Sequence, residues 1–328
     1  MKVVITGGTG FIGRMLARRV LERGALTGPS GGAEPVDEMV LFDAVVPPEF
    51  PPALAARAKV VTGEISDRAQ IEALIDRDDI AVFHLASVVS AGGEQDFNLA
   101  MRVNLDGGRH VLEACRRRKT TPRLVFTSSI AVFGPPGMGP RVDDSTKQTP
   151  QTTYGVTKAI GELLVNDYTR KGFLDGRSAR LPTVIVRPGR PNKAASSFVS
   201  GVIREPLSGE PCRLPVGLET VMPVLGYRSI VENLIRLHEA PGEAIGPDRA
   251  VSFPSLDVTV GEMVAALKRV AGGRRLGPIE VAPDPAIERI VAGWPTGTAW
   301  RKAAGLGLVC DPDIDSIIRA YIEDFLPG

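Results

Sequence analysis

Cysteine and histidine are scarce here, with three of each in 328 residues. Cys115, Cys212 and Cys310 are odd in number and far apart, which excludes a disulfide framework and zinc-type ligand pairs. His84, His110 and His238 are equally isolated, so no metal centre is expected. No apolar run approaches the length of a bilayer span. Neither sign of charge is in excess: 39 Lys and Arg against 38 Asp and Glu leave +1. Nucleic acid and membrane surfaces are therefore not expected as bulk electrostatic partners. A basic region followed by a cleavable apolar segment is also missing, since the chain starts "MKVVITGG", a strand and a turn. Free thiols and no leader make a cytoplasmic protein the expectation, acting on a small molecule.

What the chain has in quantity is alternation. Short apolar runs read as strands: "KVVIT", "MVLFD", "KVVTGEI", "AVFHLAS", "RLVFTSS" and "TVIVRPG". Amphipathic stretches lie between them, among them "FIGRMLARRVLERG", "RAQIEALIDR", "FNLAMRVNLDGGRHVLEACRRR" and "YGVTKAIGELLVNDYTRKG". Strands buried on both faces and alternating with helices imply an α/β fold, a parallel sheet covered on both sides. "LTGPSGGAEPVDE" reads as a surface insertion. After about residue 190 Pro and Gly become frequent and the helical patterns shorten. Residues 1–190 are accordingly expected to bind a nucleotide, and 191–328 to form a smaller, mostly helical substrate region.

"TGGTGFIG" follows the first strand and opens the first helix, with Gly7, Gly10 and Gly13 in G-x-x-G-x-x-G spacing. Glycine allows the tight turn and the close approach of a pyrophosphate to unpaired N–H groups at a helix start. Asp43 ends the second strand, where a carboxylate accepts ribose hydroxyls and repels a 2′-phosphate. That favours NAD over NADP.

"TTYGVTK" sets Tyr154 and Lys158 one helical turn apart. An ammonium beside a phenol stabilises the phenolate, and an oxidised nicotinamide adds to the effect. The phenolate then takes a proton from an alcohol whose carbon gives up a hydride. "VFTSSIAVFG" brings Ser128 and Ser129 to the carboxyl edge of the sheet, where a hydroxyl can hold the reacting oxygen.

Together, TGGTGFIG, HLAS (84–87), TSSIAVFG (127–134) and YGVTK (154–158) resemble the extended short-chain dehydrogenase/reductase family, the NAD-dependent epimerases and dehydratases. The resemblance is strong over roughly the first 190 residues and looser beyond. It implies a Rossmann-type doubly wound sheet, NAD as cofactor and a catalytic set of Ser129, Tyr154 and Lys158. Asn104 matches the asparagine that supports the lysine's water network. Implied cofactor contacts are Gly7, Gly10, Phe11, Ile12, Gly13, Asp43, Glu64, Ile65, Leu85, Ser87, Tyr154, Lys158 and Pro188. "GEISD" departs mildly from the family's usual pattern at the adenine. His84 is read as structural, and a homodimer through two helices is usual for the family.

"VRPGRPNKAASS" carries Arg187, Arg190 and Lys193 on a stiff loop. Nucleotide-sugar enzymes of the family have an asparagine where Arg190 stands, followed by YGP, which is missing here. The cations suit a carboxylate, which pairs bidentately with guanidinium. The stretch from Arg187 to Pro211 and the end "GWPTGTAWRKAAGLGL…IIRAYIEDFL" resemble a group of NAD-dependent sugar-acid dehydrogenases. That resemblance implies oxidation of the C2 hydroxyl of D-erythronate to the 2-oxo acid. The substrate residues expected are Ser129 and Tyr154 with Arg190, Asn192 and Lys193, then Ser87 and Arg228. Arg187 is expected to be structural. A nucleotide-sugar epimerase or dehydratase is the alternative, and a non-catalytic NAD-binding regulator a more distant one.

Overall fold

Val3, Val4 and Ile5 are all fully buried. Consecutive residues hidden on opposite faces are the mark of a strand inside a covered parallel sheet. The computed structural model describes residues 1–136, 138–189 and 195–326, and in it this first strand lies near the middle of seven. The strands are β1 (Lys2–Thr6), β2 (Glu38–Asp43), β3 (Lys59–Thr62), β4 (Ile80–His84), β5 (Arg123–Ser129) and β6 (Asp175–Leu181). Next come β7 (Thr183–Ile185), β8 (Val221–Gly226), β9 (Ala250–Ser252) and β10 (Leu256–Thr259).

The central sheet runs β9-β6-β5-β4-β1-β2-β3 and is parallel throughout. Chain order reverses between β1 and β4, the switch point above which open α/β sheets bind ligands. Five longer helices matter for the site: α1 (Phe11–Arg23), α2 (Gly107–Arg116), α3 (Thr153–Arg170), α4 (Ser197–Leu207) and α5 (Tyr227–Glu239). Leu16 and Val20 of α1 join Ile230 and Leu234 of α5 against Val3, Ile5 and Phe83. On the opposite face, Val111 and Cys115 of α2 with Val165 of α3 meet Val4, Val82 and Leu124. The sheet is thus doubly wound in the Rossmann manner.

One strand differs from expectation. "TVIVRPG" is not the sixth strand of this sheet; that place belongs to "DGRSARL", β6. Its charges concealed it, yet Arg177 is wholly buried and Arg180 nearly so. Arg177, Arg249 and Arg123 gather on Asp175 and on the carbonyls of Leu237, His238 and Ala240 at the end of α5. The negative end of that helix offsets the excess guanidinium charge. β7 belongs instead to a three-stranded sheet, β7-β8-β10, linked to β6 through Pro182 alone.

The region after residue 190 therefore does more than cap the sheet, because it supplies β9 and the covering helix α5. It also builds its own core from Val199, Val202, Val224, Met263 and Ile317. A sixth helix, α6 (Ile314–Phe325), returns to the start of the chain. The Phe325 ring stands 5.9 Å from Phe11 and 5.5 Å from Tyr227, which is itself 5.2 Å from Phe11. The insertion after α1 is a small hairpin of Ala25–Thr27 with Ala33–Pro35. Among the described residues no helix is long and apolar enough to cross a membrane, and no group of His, Cys, Asp and Glu is arranged to hold a metal ion.

Candidate active site

The glycine turn leaves β1 at Gly7, whose φ is +69°. A Cβ there would lie 2.8 Å from the Ala86 nitrogen, and one on Gly13 would lie 2.4 Å from the Gly7 oxygen. These two glycines are thus demanded by the protein's own backbone. Gly10 differs: a Cβ would meet one atom, the Gly7 oxygen at 3.1 Å, with open space otherwise. Gly10 also heads α1 with no side-chain cap, so the first-turn N–H groups are left for an anion. Asp43 closes the adjoining wall. Its Oδ2 accepts from the Thr9 hydroxyl at 2.8 Å and the Thr9 amide at 3.2 Å, and its Oδ1 from the Ala44 amide at 2.9 Å. Leu85 donates its amide to the Thr6 carbonyl across the switch point, and Ile65 is buried against Gly107. Glu64 is exposed. An open, amide-rich turn beside a strand-end carboxylate fits NAD.

Ser129 is the last residue of β5, and the Tyr154 side chain meets it from the first turn of α3, with Lys158 one turn further on. Two caps fix that helix start: Thr152 accepts from the Gly155 amide, and Glu94, from the short helix Ser90–Gln95, accepts from the Thr153 amide at 2.8 Å. Lys158 is 3% exposed. Its Nζ donates to the Thr127 carbonyl at 2.7 Å and lies 4.8 Å from the Phe126 ring centre and 5.5 Å from that of Tyr154. Burial pulls Lys158 down from 10.5 to about 7, and the Glu162 carboxylate partly opposes the fall. Burial pushes Tyr154 up, and the Ser129 hydroxyl opposes that. In the protein alone, then, the phenol is held neutral. Loss of water around the phenol, not the lysine beside it, sets that direction.

Asn104 sits in a π-helical turn, Met101–Asp106, that interrupts what reads in sequence as one helix. Its Oδ1 accepts from the Val88 amide at 2.7 Å and the Ser87 hydroxyl at 3.1 Å. Its Nδ2 donates to the Val88 carbonyl at 3.0 Å and the Thr157 hydroxyl at 3.2 Å. The amide is saturated, and it pins the 87–88 segment to the residue before Lys158. His84 has its Nδ1 on the Thr6 hydroxyl at 2.7 Å, and burial lowers it to about 3, so it stays neutral. That agrees with a structural residue.

Arg228 and Arg187 have partners of their own. Arg228 grips Asp324 at 2.7 and 2.9 Å and Glu323 at 3.0 Å on α6, so its guanidinium is engaged there. Arg187 is anchored by its backbone, its amide donating to Ser200 and its carbonyl accepting from Arg204, as a structural residue would be. Pro188 follows β7, well beyond the carboxyl end of β6, where Leu181 pairs with Ser129. Arg190, Asn192 and Lys193 fall outside the described residues. Sequence reasoning missed Thr9, Glu94 and Glu162. Glu162 alone left a signal, since it continues the Tyr154–Lys158 spacing by one more turn.

The signature of the NAD dependent epimerase/dehydratase family matches residues 3–249. Over 324 residues the chain is 48% identical to the D-erythronate dehydrogenase of Cupriavidus necator, spanning 99% of this chain and 98% of that protein. The D-erythronate dehydrogenase of Haemophilus influenzae is 39% identical over 324 residues, 98% of this chain and 99% of that one. The crystal structure of a nucleoside-diphosphate-sugar epimerase from Agrobacterium tumefaciens superposes with a TM-score of 0.89 at 38% identity, covering 99% of this chain and 94% of that one. With a doubly wound sheet, an amide-rich glycine turn and this full-length likeness, the chain belongs to the NAD dependent epimerase/dehydratase family and is an NAD-dependent oxidoreductase.

Proposed function

We propose that this enzyme oxidises the C2 hydroxyl of a four-carbon sugar acid, D-erythronate, to the 2-oxo acid. The observation that carries the reading is the 48% identity to a D-erythronate dehydrogenase over almost the whole of both chains. Bound NAD supplies the two-electron acceptor for the C2 carbon. Tyr154 takes the hydroxyl proton on its Oη, and the Ser129 hydroxyl donates to the same oxygen. Lys158, charged, lowers the cost of the phenolate. Asn104 holds the Ser87–Val88 segment beside them. The carboxylate is assigned to the loop of Arg190, Asn192 and Lys193, where the substrate region of residues 191–328 begins.

A panel of tetronates and other 2-hydroxy acids, scored by NADH absorbance, tests this. D-erythronate should give NADH, and Tyr154→Phe should abolish turnover while NAD still binds. No NADH from any member of the panel would end the proposal. Nucleotide-sugar epimerisation is the second reading, favoured by the 38% identity to the Agrobacterium tumefaciens protein. It requires tightly held NAD and no net NADH, which mass analysis of the released cofactor checks. Val156 and Leu163, exposed one above the other on α3, support the expected homodimer, and light scattering on the purified protein measures it.

A further inference from the structure

Beneath the triad lies a buried carboxylate that the proposed chemistry leaves unused. Glu162 is 2% exposed and Arg180 4%. Arg180 Nε lies 3.0 and 3.1 Å from the two carboxylate oxygens, and its Nη2 2.7 Å from Oε2. Ser128 donates to Oε1 and Gln148 to Oε2. Such a cluster is often a staple and nothing else. Two features of its placement go further. Tyr154, Lys158 and Glu162 follow at successive turns on one face of α3. Ser128 and Arg180 are register partners on β5 and β6, and Ser128 precedes Ser129. One carboxylate therefore touches both elements that present the triad.

We propose that Glu162 is a positioning residue whose buried negative charge, held by Arg180, Ser128 and Gln148, keeps Lys158 protonated and so keeps Tyr154 competent as a base. The inference rests on the oxidoreductase reading above. The charged and titratable groups around Lys158 are few. From its own helix come Tyr154 and Glu162, and from β4 comes His84, which is neutral. Phe126 on β5 presents a ring face. Arg180 on β6 binds the far carboxylate edge, with Asp144 4.0 Å beyond it. Glu162 is the anion acting on Lys158, and it opposes the burial that has already brought this lysine to about 7. Near that value the charged fraction changes steeply with any loss of the carboxylate.

Glu162→Gln removes the charge and keeps the shape, but it leaves a buried guanidinium alone. The paired variant Glu162→Gln with Arg180→Met removes both charges and is made alongside. In cofactor-free protein carrying isotope-labelled lysine, NMR follows the Lys158 ε-carbon through its titration. The midpoint should fall by ~1 pH unit in Glu162→Gln, as loss of one neighbouring opposite charge predicts, and by less in the paired variant, where the like-charged guanidinium goes too. In turnover of D-erythronate, the alkaline limb of kcat/KM, set by loss of the charged lysine, should move down by a similar amount, with kcat recovering at lower pH and KM for the acid little changed. An unmoved midpoint overturns the proposal. So does a uniform loss of activity at every pH with the limb in place, which is what a staple would give. If the native enzyme makes no NADH from D-erythronate, the proposed substrate fails, and the titration still decides the role of Glu162.

Discussion

The three glycines of the turn are separable by experiment. Gly13→Ala forces a Cβ to within 2.4 Å of the Gly7 oxygen and 2.7 Å of the Gly8 Cα, backbone atoms that cannot step aside. Overpacking of this kind costs ~1–3 kcal/mol or more. Gly7→Ala adds a left-handed backbone penalty of ~1–2 kcal/mol to a similar clash with Ala86. Gly10→Ala should behave otherwise. Its φ of −66° and ψ of 171° suit alanine, so the folded protein loses ~1 kcal/mol or less, from a poorer helix cap. The new methyl would instead stand in the open space above the turn, where a pyrophosphate must come close. NAD affinity should then fall at least ~tenfold, or ~1.4 kcal/mol. Denaturant unfolding without cofactor and calorimetric titration with NAD measure the two quantities independently. If Gly10→Ala unfolds as readily as Gly13→Ala, or binds NAD like the native chain, the division of roles is wrong.

Three further outcomes are expected. Asp43→Ala should weaken NAD more than NADP and cost ~1 kcal/mol of stability or less, because the buried Thr9 loses the carboxylate but its hydroxyl keeps the Val45 carbonyl; paired binding titrations with the two cofactors check this. Arg228→Ala should leave KM for the acid unchanged and lower stability by no more than ~1 kcal/mol, as partly exposed ion pairs do. A raised KM would return Arg228 to the substrate site. Burial depresses His84 from 6.5 to about 3, so its contribution is intact above about 6.5 and is lost as pH falls toward about 3. Urea unfolding across that window should show the loss, and His84→Asn should flatten the slope.

The apolar strands were readable because burial on both faces leaves no room for charge. β6 was not, because Arg177 and Arg180 are hidden by partners that no alternation reveals: Asp175 in the strand itself, Glu162 on α3 and the end of α5. Spacing alone revealed the glycine turn and the Tyr154–Lys158 face. Their surroundings needed coordinates: the saturation of Asn104 depends on a π turn, and no local pattern announces one. Arg228 looked like a substrate cation for the same reason. Its acids, Glu323 and Asp324, arrive only with α6. In the second sheet β7 was legible as a strand, but β8, with Pro223 inside it, and β10 left too little alternation to recognise.

The ring of Phe11 rests against a helix made from residues 314–325. During synthesis the glycines, the aspartate and the whole triad leave the ribosome long before Phe325 does. A nascent chain at that stage has the glycine turn and Asp43 but an unsupported flank on that turn. Firm capture of the dinucleotide is therefore expected only once residues 314–325 have emerged, and a protein cut before residue 314 should hold the coenzyme loosely although the glycine turn and Asp43 are intact.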